Sequence, residues 1–110
     1  MKQYVIDGLR LEDYEKIKKY CDENLGSPSL GSIYWVEMDR NILNEVQLAH
    51  VSCQPHYFAI DLEEQHISCE FLVRIKKNIK CDCMAYADRK QREWIMDKVD
   101  AMLEKLNITV

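Results

Sequence analysis

From Tyr57 to Ala87 apolar and polar residues alternate with the period of two that marks a half-buried strand. Phe58, Ile60 and Leu62 alternate with Tyr57, Ala59 and Asp61. Ile67, Cys69, Phe71, Val73 and Ile75 do the same across Ser68, Glu70, Leu72, Arg74 and Lys76, and Ile79, Cys81, Cys83, Ala85 and Ala87 continue the rhythm. Side chains of one face must pair across a ladder, because a one-residue slip inverts every face. The pattern therefore predicts a three-stranded antiparallel meander. Leu62 pairs with Ile67 across Glu63-Glu64-Gln65-His66, and Ile75 with Ile79 across Lys76-Lys77-Asn78. This register sets Val73 opposite Cys81 and His56, Phe71 opposite Cys83, Cys69 opposite Ala85 and Ile67 opposite Ala87, with three cysteines on one apolar face.

Helical periods flank the meander. Lys2 to Ile6 reads as an edge strand, followed by an Asp7-Gly8 turn. Tyr14, Ile17, Cys21 and Leu25 form a stripe that predicts a helix from Leu11 to Asn24, with Glu12 and Asp13 at its start and Gly26 past its end. Gly26 to Ser32 is a connector; its glycine spacing resembles a phosphate loop, but Ser32 stands where lysine is needed and the loop follows a helix. Ile33 to Met38 reads as a strand. Leu43 to Val51 reads as a short helix with an Asn44/Gln47 capping box and a Leu43/Val46/His50 stripe. Asp88 caps a final helix reaching Leu106, with Gln91 completing its box and Ile95, Val99, Met102 and Leu106 facing inward. The expected fold is α+β in one domain spanning residues 1–110. It has a single antiparallel sheet of four to five strands, the C-terminal helix on its Phe58/Phe71/Cys83 face, and an N-terminal helix packed on the sheet.

Composition changes this picture little. A chain of 110 residues with 47% apolar content should bury about two-thirds of its unfolded surface, enough for a core without metal or disulfide. No apolar run spans a bilayer, and Met1-Lys2-Gln3-Tyr4 leads to no signal-peptide core, so a cytoplasmic protein with reduced thiols is expected from its five cysteines. A net charge of -4 argues against general nucleic-acid binding.

Three candidate chemistries remain. His50, Cys53 and His56 lie near one another in sequence, and the register brings Cys81 and Cys83 to the same end of the sheet, so these five are candidate ligands for a transition metal such as zinc. The competing reading is buried free cysteines acting as small hydrophobes. The spacing matches no standard zinc motif, and Cys-x-Cys in a flat strand sets its sulfurs a pleat apart. Cys53 beside His50 or His56 is also the one candidate for a nucleophilic thiol, with no third orienting group in sight. Arg89, Lys90 and Arg92 crowd the first turn of the last helix and could hold an anion there, or be solvated. They lie far from the other basic group, Arg74, Lys76, Lys77 and Lys80, so the two do not make one groove.

The sheet's second face carries Tyr57, Glu70, Leu72, Arg74, Met84 and Tyr86, too apolar for plain solvent and too polar for a core. Either the N-terminal helix covers it or a partner chain does, a second copy included. The sequence is read first as a non-catalytic binding or regulatory module, second as a zinc-binding protein and third as a thiol enzyme. No cofactor other than the candidate zinc is implied.

Overall fold

The computed structural model describes residues 2–28, 31–76 and 81–110. The Ile75–Ile79 pair, most of the Lys76-Lys77-Asn78 loop, Lys80, and Ser29 and Leu30 of the connector fall outside the described residues. The elements run β1 (Gln3–Ile6), α1 (Leu11–Asn24), β2 (Ile33–Glu37), α2 (Glu45–Ala49), β3 (His56–Leu62), β4 (Ile67–Glu70), β5 (Arg74–Ile75) and α3 (Arg89–Lys105), with 3-10 turns at Arg40–Ile42 and Val51–Cys53. They form an α+β fold built on one antiparallel sheet of five strands in the order β1-β4-β3-β2, with β5 also paired to β3. No helix of the described residues is long and apolar enough to cross a membrane.

The β3–β4 register is the one the alternation predicts, Leu62 facing Ile67 and Ile60 facing Cys69. Beyond Glu70 the strand changes course. β1 pairs along the far side of β4, Tyr4 facing Cys69 and Ile6 facing Ile67, and so occupies the edge expected for residues 85–87. The last segment of the meander is displaced along the strand: Leu72 bridges Tyr86, Val73 N–H donates to Ala85 O and Ala87 N–H to Phe71 O. The expected pairs of Cys69 with Ala85 and Ile67 with Ala87 are therefore replaced, and residues 81–84 make a turn instead of a strand. His56 faces Ile75, not Val73. Between Ile60↔Cys69 and Tyr57↔Arg74, three steps along β3 span five along its neighbour, a bulge of two surplus residues at 71–73.

Both long helices lie on one face. Ile17 and Cys21 of α1 and Ile95, Val99, Met102 and Leu103 of α3 join Tyr34, Phe58, Ile60, Leu62, Ile67, Cys69 and Val73 in one buried cluster. Polar ties fix the layers: Tyr34 Oη donates to Asp22 Oδ1 at 2.6 Å, Tyr4 Oη donates to Asp100 Oδ1 at 2.6 Å, and Trp94 stacks on Phe58 at 6.2 Å. α1 covers the same face as α3, so no helix among the described residues covers the second face. Cys83 departs from the expected α3-covered face and joins Cys53 and Ile75 in a small separate cluster at the sheet's end.

The helix starts explain their own positions. Asp88 Oδ1 accepts from Gln91 N–H at 2.9 Å while Gln91 Oε1 accepts from Asp88 N–H at 3.2 Å, a reciprocal box that starts α3 as predicted. Asn44 and Gln47 repeat it at α2. Here the expected Leu43/Val46/His50 stripe fails: Val46 is exposed and Gln47 is buried. Gln47 goes inside because its amide has partners there, Gln91 Nε2 donating to Gln47 Oε1 at 2.8 Å and to Ile42 O at 3.0 Å.

Candidate metal centre

Two short turns meet beyond the His56 end of the sheet. The first continues from α2: Cys53 N–H donates to His50 O at 2.9 Å, closing a turn that presents His50 and Cys53 together. In the second, Met84 N–H donates to Cys81 O at 3.0 Å, and the tight reversal removes the pleat that a strand would put between Cys81 and Cys83. One ligand atom from each of His50, Cys53, Cys81 and Cys83 lies within 4.8 Å of all the others. Nδ1 is the ring nitrogen turned inward, 2.7 Å from Cys81 Sγ. Cys53 and Cys83 are buried, His50 and Cys81 half-buried, and Ile75 and Met84 pack around them.

Local electrostatics sort the thiols. The backbone N–H of Cys83 aimed at Cys81, followed by the Cys83 side chain, pulls the Cys81 thiol below its ordinary value, with Cys53 and His50 assisting against burial. Burial pushes the Cys83 thiol up, and the neighbouring sulfurs add to that. Cys81 therefore ionises before Cys83, and a positive charge at the centre of the group is what would let the sulfurs ionise together. The backbone is held from outside as well: Gln47 Nε2 donates to Cys83 O at 3.4 Å and Gln54 Nε2 to Gln47 O at 3.3 Å. Gln47 and Gln91 are the site residues that sequence reading missed. Their signal was there, since each closes an Asx-x-x-Gln box.

His56 is the correction. It is 1% exposed on β3 and does not belong to the converging group. Neither of its ring nitrogens has a hydrogen-bond partner among the described residues, and burial, then the charge of His50, depress its pKa. Its nearness in sequence was misleading, because the extended backbone turns alternate side chains into the core.

The other candidates are placed as follows. Lys90 Nζ donates to Asn41 O and Arg92 Nη1 to Ala87 O, both at 3.3 Å, while Arg89 is exposed; in the first turn of α3, Gln91 N–H donates to Asp88 Oδ1. On the second face Arg74 Nε donates to Glu70 Oε1, Arg74 faces Tyr57, and Leu72 faces Tyr86. Glu70 stands beside Gln3, and not beside Met84, which turns towards the Cys/His group instead. Ile33, Trp35, Ala59 and Ser68 complete a shallow concavity of about 400 Å³ with Glu70 and Arg74. All five cysteines are free. Compared with protein-family models, with curated proteins and with solved structures, the chain matches none.

Proposed function

We propose that this protein is a zinc-binding, non-catalytic module in which His50 Nδ1, Cys53, Cys81 and Cys83 hold one Zn²⁺ as a structural staple. The observation that carries the reading is the convergence of four soft donors from two separate turns within 4.8 Å. A tetrahedral Zn²⁺ with bonds of about 2.0–2.3 Å sets its ligand atoms roughly 3.5–3.8 Å apart, so the group is within small side-chain movements of that geometry. Three sulfurs and one imidazole favour zinc over the hard cations, which take oxygen. Four protein ligands leave no open position for substrate, which separates a structural site from a catalytic one. The staple would join the end of α2 to the 81–84 turn, two segments that meet in the small Cys53/Ile75/Cys83 cluster. The hydrogen bond from Gln47 to the Cys83 carbonyl is the outer support such sites need.

The test is metal analysis of protein purified without chelator, followed by cobalt substitution. One zinc per chain, and a cobalt spectrum with intense tetrahedral bands and thiolate charge transfer, are expected. Cys83→Ser and His50→Ala should each lower zinc affinity, and His56→Ala should not. Protein that carries no zinc and melts at the same temperature with and without added zinc would overturn the proposal.

A further inference from the structure

The second face of the sheet is where the chain has unspent chemistry. Register pairs arrange it in rows: Val5, Ser68, Asp61 and Ile33; then the pairs Gln3–Glu70 and Ala59–Trp35, which line one concavity; then Arg74, Tyr57 and Glu37. Small residues, Ala59 and Ser68, form the floor, and Trp35 with Tyr57 forms a wall, their rings 5.8 Å apart and edge to face. Tyr86 stands 45% exposed at the margin beside Leu72. None of these residues is sealed by the helices, which occupy the other face.

Charge on this face is graded along the strands. At the Tyr57/Tyr86 end lie Arg74, Lys76 and Lys2, with Lys76 Nζ 4.5 Å from the Tyr57 ring centroid and Lys2 Nζ 5.5 Å from that of Tyr86. At the other end Ser32 Oγ donates to Asp61 and to Glu63, which gathers the two carboxylates. Glu37 shares the Arg74/Tyr57 row and Glu70 pairs with Arg74, so the Tyr57/Tyr86 end keeps an excess of one cation while the other end carries two carboxylates. With three cations against four carboxylates the face is close to neutral, on a chain whose net charge is -4. A polyphosphate would meet an acidic end, and a uniformly acidic or basic protein would be repelled by one end or the other.

We infer that this face binds the same face of a second copy of the chain, the two related by a two-fold axis lying across the strands. That axis sets the basic end of each copy over the acidic end of the other, so both ends are matched twice. It also covers Trp35, Tyr57 and Tyr86, the residue types that anchor interfaces. Four strands at a spacing of about 4.8 Å, over roughly 17 Å of strand length, give a footprint of about 300–350 Å² in projection. Side-chain relief brings this to roughly 600–700 Å² of accessible surface per copy, or about 1,200–1,400 Å² in total, the lower end of stable interfaces. A reversible dimer is the form expected. The inference does not depend on the metal.

The experiment is sedimentation equilibrium on the full chain, zinc-replete, at concentrations up to about 1 mM, the weak limit of specific association. Two charge reversals at exposed positions, Lys76→Glu and Glu63→Lys, are each expected to weaken association at least tenfold. Circular dichroism and melting temperature should stay unchanged. An equimolar mixture of the two variants should recover the wild-type affinity, since each altered end then faces its complement. A wild-type mass of 13.1 kDa at every concentration would overturn the proposal. So would a dimer indifferent to either reversal, or a mixture no tighter than the single variants.

Discussion

Gln91 is the residue whose loss should be felt furthest from its own position. Its side chain is fully buried and makes three hydrogen bonds, two donated by Nε2 to Ile42 O and Gln47 Oε1 and one accepted from Asp88 N–H. Gln91→Ala strands Ile42 O inside the protein and removes one of the two donors to Gln47 Oε1, which keeps Asn44 N–H, whereas Asp88 N–H lies at an exposed residue where water can replace the partner. Each buried group left unpaired costs about 1–3 kcal/mol. One such group, together with the hydrogen bond lost at Gln47 Oε1, gives a loss of about 2–4 kcal/mol. For a chain of this size that lowers Tm by roughly 8–16 °C. Asp88→Ala removes only the cap and should cost about 1 kcal/mol. Equilibrium urea unfolding at fixed zinc concentration measures both. The network also carries Gln47, whose Nε2 holds the Cys83 carbonyl, so Gln91→Ala should release zinc faster to a competing chelator. A loss below about 1 kcal/mol, or equal losses for the two variants, would refute this accounting.

Acid titration tests Asp13, whose carboxyl is held below the usual carboxylate range by hydrogen bonds from the Arg10 side chain and backbone. A depressed folded-state pKa gives stability that is complete above about pH 4 and fades as pH falls through the lower folded value. The Tm advantage over Asp13→Asn should therefore be constant from about pH 7 to 5 and close below 4. Thiol labelling separates the cysteines, because burial pushes Cys21 up to about 11 and Cys69 up to about 12. With chelator present an aromatic disulfide reagent should titrate Cys81 first, the half-buried thiol held below its ordinary value, while Cys21 and Cys69 stay silent until urea unfolds the chain. Early reaction of those two would show that the core opens on metal loss.

What the sequence revealed was local. α1 begins and ends at the predicted residues, and α3 is bracketed by Asp88 and Leu106, because stripes and caps are set by neighbours within a turn. The β3–β4 hairpin was legible for the same reason. The arrangement around it was not, because β1 competes for the edge of β4 from across the chain, and no period in residues 67–87 records that competition. The metal candidate divided along the same line. His50 and Cys53 could be paired from their spacing on one turn, whereas Cys81-Asp82-Cys83 looked like strand by alternation and proved to be a turn. Gln47 broke the expectation that polar residues stay outside, since its burial depends on Gln91, far along the chain.

The bulge at 71–73 obeys a rule of parity. Its surplus is two residues, an even number, so the alternation of sides passes through it undisturbed: Cys69, Val73 and Ile75 are all buried, and Glu70 and Arg74 share the open face. An odd surplus would exchange the roles of Arg74 and Ile75, driving a guanidinium in among Cys53 and Cys83 and presenting an isoleucine to water. Length variation in this segment is therefore counted in pairs. A gain or loss of two residues here should keep both the cysteine cluster and the Glu70–Arg74 ion pair, and a change of one should disrupt both together.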